Sequence, residues 1–190
     1  MQFRFTISNI LILISAIFTL IAYFYPSIYI LGINNNFLDQ GIYSIYLIQF
    51  FTGTFLHAGL LHFLANALFL YLFGNILEVI IGKKKFILFF IFILFFNGFL
   101  LSIFSTGNNV GISGFCMALI SYYTLELKSK NNPEYKGGIT ALLINIGIGF
   151  VPGISLLGHL FGAIGGVLFY LINKKFLKLK FVGPVETIKG

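Results

Sequence analysis

Apolar residues run along this chain in stretches too long for strands and too continuous for half-exposed helices, with polar residues cutting them at intervals. Six stretches stand out, at residues 7–30, 53–80, 86–104, 113–127, 138–150 and 156–172, and each is predicted to be a membrane-spanning helix. Pro26 interrupts the first near its end. A long loop follows at 31–51, where Asn34, Asn35, Asn36, Asp39 and Gly41 supply turn chemistry, while Tyr43, Tyr46 and Phe50 suit a membrane interface. The third stretch is almost solid Phe, Ile and Leu and suits wide contact with lipid. Residues 105–110, with Gly107, Asn108 and Asn109, read as a polar turn, and Pro152 and Gly153 as another. The fourth and fifth stretches fall short of the roughly 20 residues that a full crossing needs, which a helix enclosed by its neighbours can tolerate. The predicted fold class is an all-α polytopic membrane protein, a six-transmembrane-helix bundle forming one domain over 1–190, with short tails at 1–6 and 176–190.

Composition agrees. The chain is 58% hydrophobic and 9% charged, against about 25% charged in a soluble domain, so too few polar side chains remain to wet a globule. The single cysteine, Cys116, excludes an internal disulfide and reads as an apolar filler. A net charge of +7 raises the question of nucleic acid, but the cations stand in blocks between apolar stretches, with no aromatic nucleic-acid motif among them. Lys83, Lys84 and Lys85 form one block, Lys128, Lys130 and Lys136 a second, and Lys174, Lys175, Lys178 and Lys180 a third. With Arg4 and Lys189 these account for all twelve cations, and none falls in 31–52, 105–112 or 150–156. The segregation predicts both termini and the 82–85 and 128–137 connections on the cytoplasmic side, facing anionic lipid. Arg4 and the apolar run behind it resemble a signal peptide, but the run is too long and ends in no Ala-x-Ala site, so it reads as a retained first helix.

This topology brings the polar groups of three spans to one depth near the outer face. His57, His62 and Asn66 open the second span, Gly111, Ser113 and Gly114 the fourth, and His159 the sixth. Hydrogen-bonding groups in a bilayer are costly unless paired or used, and serine with histidine is the minimum equipment for covalent acyl transfer. Ser113 is the candidate nucleophile and His159 the general base that takes its proton and returns it to a leaving amine. No Asp or Glu stands near either in the outer half, so the expectation is a dyad with the imidazole oriented by packing or a weaker hydrogen bond. His62 and Asn66, four residues apart on one helix face, can donate to an oxyanion together with the Ser113 N–H. His57 reads as a supporting or water-path group. Zinc is disfavoured, since no His-Glu-x-x-His occurs. Transport is the less favoured class, because spans one, three and five offer no ionisable relay. Gly158, Gly162 and Gly166 give the sixth span a smooth face for close helix contact. Glu78, near the cytoplasmic end, reads as a structural group that caps a helix or pairs with Lys83 or Lys84. A polar cavity is expected above Ser113, open to the outer face, fed past His57 and closed below by the fourth span.

The combination resembles the rhomboid family of intramembrane serine proteases. The match runs from Phe55-Leu56-His57-Ala58-Gly59 through His62, Asn66, Gly74 and Glu78 to Gly111-Ile112-Ser113-Gly114, then His159, Gly162 and Gly166, over roughly residues 50–170. The resemblance implies a six-helix bundle with a Ser113/His159 dyad. It also implies an oxyanion site of His62, Asn66, the Ser113 backbone and Gly111, and transmembrane proteins as substrates, cut where a helix unwinds easily. It implies no metal or organic cofactor. The cation placement predicts a multi-pass plasma-membrane protein with the active site open to the extracytoplasmic side, and a homo-oligomer is left open. Supporting positions would be His57, Met117, Gly114, Gly162 and Gly166. Two positions depart from the family pattern: Ile48-Gln49 stand where a Trp-Arg pair is usual, and Met117 where many members carry a tyrosine stacked on the catalytic histidine. The competing reading is an inactive relative that binds transmembrane clients. The bias toward Phe, Ile, Lys and Asn suggests an AT-rich bacterial genome.

Overall fold

A computed structural model describes residues 5–176. Arg4, Lys178, Lys180 and Lys189, and with them most of the two tails, lie outside the described residues. Those described form helices joined by turns. The first, α1, runs Ile7–Phe24 and opens on Thr6, whose hydroxyl accepts from the Asn9 N–H at 3.2 Å. It ends six residues earlier than the apolar run. Pro26 disfavours helical backbone at Tyr25 and donates no N–H, so the chain continues as a 3₁₀ segment, Pro26–Leu31.

The region expected to be a loop holds two helices, α2 (Asn36–Asp39) and α3 (Tyr43–Phe55). The second apolar stretch is therefore cut: α3 uses its first residues, Leu56 turns extended (φ −69°, ψ 146°), and α4 begins only at Leu60. Hydropathy does not register this break, because the residues around it are apolar on both sides. Hydrogen bonds make it instead. The His57 Nδ1–H donates back to the Phe55 carbonyl at 3.0 Å, and the Tyr29 hydroxyl donates to the His57 carbonyl at 2.6 Å. From Leu60 the helix runs unbroken to Ile81, as α4 (Leu60–Phe69), a π-type turn (Leu70–Gly74) and α5 (Asn75–Ile81). After it come α6 (Lys83–Phe104), α7 (Ser113–Ser129), α8 (Tyr135–Ile148) and α9 (Leu156–Lys175).

Among the described residues four rods are long and apolar enough to cross a membrane: α1, Leu60–Ile81, α6 and α9; α8 is a shorter apolar helix. The protein is thus an all-α polytopic membrane protein. Its α7 differs in kind. Phe115 to Tyr122 are all buried, and the helix packs chiefly on α9, with α8 and α6 beside it. At its far end Glu126 is buried while Lys128 is exposed. The phenylalanine-rich α6 faces lipid with Ile91, Phe95 and Phe99 but turns Phe86 and Phe89 inward, where Phe89 stacks on Phe169 with ring centroids 4.6 Å apart.

Lipid gives apolar side chains no net reason to cluster, so helices in it associate through close backbone packing and hydrogen bonds. Between α7 and α9 both are present. A Cβ added to Gly162 would meet the Cα of Gly114 at 2.7 Å, one on Gly166 would meet Ala118 backbone, and the Ser121 hydroxyl donates to the Ala163 carbonyl at 2.9 Å. Gly158 contributes differently, its carbonyl lying 3.2 Å from a Cβ built on Gly114.

The ends of the bundle are chemically distinct. At one, the Thr6 hydroxyl donates to Asn75 at 2.6 Å, and Glu126 pairs with both Lys130 and Lys174 at 3.2 Å. Glu78 neither pairs with Lys83 nor caps its own helix; its carboxylate accepts the Ser8 N–H at 3.2 Å and so caps α1. At the other end, where the loops 31–34, 105–112 and 149–155 meet, no Lys or Arg is found. Ile33 and Asn109 exchange backbone hydrogen bonds of 2.8 and 2.9 Å there. Gln49, fully buried, donates to the Gly32 carbonyl at 2.6 Å, while Ile48 points outward.

Candidate active site

Ser113 is the first residue of α7, so its own N–H and the next have no partner within the helix and form the positive end of its dipole. The turn before it is fixed by the Gly111 N–H, which donates to the Gly53 carbonyl at 2.8 Å. Gly111 takes φ +120°, and a Cβ there would lie 2.8 Å from His62 Cε1, 2.9 Å from Nε2 and 3.8 Å from Asn66 Nδ2. The imidazole of His62 and the amide of Asn66 therefore converge on the backbone two residues before Ser113. One amide hydrogen of Asn66 goes to the His62 carbonyl at 3.0 Å, and the second is free to serve a ligand.

A cleft of about 500 Å³ opens here, with Ser113, His62, Ala58, Asn109 and Ser155 among the residues that line it. It passes Ala58, not His57. His57 is wholly buried, its ring edge-on to His62 with centroids 5.0 Å apart, so it backs the His62 ring and does not line the route expected past it. Met117 lies one turn below Ser113 in the apolar core, 2% exposed.

His159 is buried, in the first turn of α9. Its Nδ1 is 2.7 Å from the Asn145 carbonyl. A carbonyl only accepts, so Nδ1 carries the proton and Nε2 is left with a lone pair. The Asn145 carbonyl is available because α8 is ending: the Gly149 N–H, which would reach it in a continuing helix, turns to Ile146 at 3.0 Å. The negative end of α8 thus faces the ring. Gly114 packs on Gly158 and Gly162, so the two helices touch backbone to backbone beside Ser113 and His159. The Ser113 hydroxyl makes no hydrogen bond to His159, whose hydrogen bond goes to Asn145. Among the described residues no cluster of His, Cys, Asp or Glu is built to hold a metal ion.

Sequence reasoning missed the Asn145 carbonyl, which no side-chain pattern announces. It also passed over Ser155, although a serine directly before an apolar helix is a start signal; here its hydroxyl accepts from the Gly158 N–H at 3.1 Å.

The rhomboid domain model matches residues 45–176, the stretch from within α3 to the end of α9. The chain belongs to the rhomboid family. Over 132 residues, 66% of this chain and 75% of the relative, it is 31% identical to a protein of Acanthamoeba polyphaga mimivirus that bears a rhomboid name. Over 139 residues it is 26% identical to the rhomboid protease GlpG of Haemophilus influenzae, covering 68% of this chain and 71% of that one. The rhomboid match contains His62, Asn66, Gly111, Ser113 and His159 together. It leaves out α1, which reaches the rhomboid domain through the Glu78 cap and the Thr6–Asn75 bond.

Proposed function

We propose that this rhomboid-family protein is an intramembrane serine endopeptidase, cutting transmembrane proteins in or near their membrane-spanning segments. Ser113 Oγ attacks the substrate carbonyl while His159 Nε2 takes its proton, and the imidazolium so formed is held by the Asn145 carbonyl and favoured by the C-terminal end of α8. The Ser113 N–H, His62 and Asn66 donate to the developing oxyanion beside Gly111. His159 then protonates the leaving amine, and water entering by the cleft hydrolyses the acyl-serine. A helical substrate has its carbonyls engaged in its own hydrogen bonds, so it unwinds locally before Ser113 can reach one. The Ser113–His159 hydrogen bond closes in the substrate complex, as catalytic hydrogen bonds commonly do.

The observation that carries this reading is the His159 Nδ1–H on Asn145, which leaves the Nε2 lone pair available for proton transfer where the start of α9 packs on the start of α7. Six membrane spans follow if α7 and α8 cross with the four longer rods. The lysines at one end then put both termini in the cytoplasm and the cleft on the extracytoplasmic side of the plasma membrane. One experiment addresses both claims. A membrane-impermeant, serine-reactive fluorophosphonate added to intact cells is expected to modify Ser113, with the adduct mapped by mass spectrometry and lost in His159→Ala. Label on Ser113 only after the cells are opened contradicts the orientation. A Ser113 that stays unmodified in opened membranes, with transmembrane clients still bound, favours a binding protein.

A further inference from the structure

The two candidate catalytic residues are joined by a second path that uses neither of their side chains. Asn109 stands four residues before Ser113, in the same turn; Ser155 stands four residues before His159, at the cap of α9. The Ser155 hydroxyl donates to Asn109 Oδ1 at 2.7 Å and accepts from the Gly158 N–H at 3.1 Å. A hydroxyl has one proton to give and lone pairs to receive, so both bonds form at once. The Ser155 carbonyl accepts the His159 N–H at 3.1 Å, the first backbone hydrogen bond of α9. Asn109 is held in turn: its amide donates to Ser105 Oγ at 2.8 Å and the Gly107 carbonyl at 3.0 Å, and its backbone pairs with Ile33. Both residues line the cleft, and Asn109 is 9% exposed.

We propose that Asn109 and Ser155 form a clamp that sets the register of the nucleophile's turn against the start of the base's helix, making both positioning residues for the reaction proposed above. The inference rests on that reading. Ser113 and His159 are not hydrogen-bonded to each other, so forming their bond needs the start of α7 and the start of α9 to bring the two side chains together. The clamp limits the motion available to the two backbones that must approach. Displacements of about 1 Å at a reacting centre cost on the order of a hundredfold in rate. Such a loss acts on the step that needs Ser–His contact and leaves substrate affinity alone.

Three variants of Ser155 separate positioning from plain structure. Ser155→Gly removes the hydroxyl but remains an acceptable helix cap, Ser155→Ala removes both cap and clamp, and Ser155→Thr keeps both. Full-length protein in liposomes is labelled with a serine-reactive fluorophosphonate, and its cleavage of a reporter transmembrane substrate is followed in parallel. In Ser155→Gly the labelling rate of Ser113 and kcat are expected to fall together by about ten- to a hundredfold, with KM unchanged and the unfolding temperature close to wild type. Ser155→Thr restores both rates. Asn109→Ala lowers them as well, and the Asn109→Ala/Ser155→Gly double variant falls no further than the worse single one, as members of one unit behave. Wild-type rates in Ser155→Gly, or additive losses in the double variant, overturn the clamp while labelled wild type leaves the serine-protease reading standing. A wild type with unlabelled Ser113 overturns that reading and the clamp with it.

Discussion

At Gly111 a side chain has nowhere to go. The backbone sits at φ +120°, a conformation L residues rarely adopt, and the space a Cβ would occupy is filled by the His62 ring. Gly111→Ala therefore strains the turn and pushes His62 from the place where it would meet an oxyanion. Removing one oxyanion donor costs on the order of a hundred- to a thousandfold in kcat, so reporter cleavage by Gly111→Ala is expected to drop by about a hundredfold or more. Near-normal kcat in that variant would remove His62 from the oxyanion site. At this scale the sequence singles out side chains and passes over backbone groups. His62, Asn66, Ser113 and His159 stood out because polar groups in apolar stretches are few. The partner of His159 did not, since a backbone carbonyl belongs to every residue. Only the position where α8 ends makes the one at Asn145 available.

Between elements, the contact of α7 with α9 does most to set the site. Gly162 meets Gly114 backbone on backbone, and neither chain has a flexible side chain to yield. Gly162→Ala is expected to force the helices apart and destabilise the protein by about 1–3 kcal/mol, the usual range for overpacking, with activity lost alongside because Ser113 adjoins Gly114. Gly147, in α8, has open space where its Cβ would stand. Gly147→Ala is expected to do the opposite, stabilising by roughly 0.5–1 kcal/mol through helix propensity. Unfolding of the two variants in detergent micelles checks the pair, and equal shifts would contradict a tight α7–α9 seam. The glycine spacing in α9 was readable as a packing face in the sequence. The end of α3 and the start of α4 were not, because His57 and Tyr29 create that break through hydrogen bonds while hydropathy stays high across it.

Across the described residues, positive charge and the candidate site are sorted to opposite ends. The described lysines and the Glu126 pairs occupy one, and the cleft with Ser113, His62 and three uncharged loops occupies the other. Cation placement in the sequence anticipated this division, since loops without Lys or Arg alternate with loops that have them. It could not anticipate that those loops are stitched to one another through Ile33, Asn109 and Ser155. Every role proposed for these residues depends on whether the arrangement performs peptide hydrolysis in a bilayer. The most direct test is purified full-length protein in liposomes with a panel of labelled transmembrane substrates, beside Ser113→Ala and His159→Ala. The account predicts fragments from wild type at a defined bond and a loss of at least a thousandfold in each variant, in line with removal of a nucleophile or its base. Fragments that persist in Ser113→Ala at the wild-type rate would contradict it.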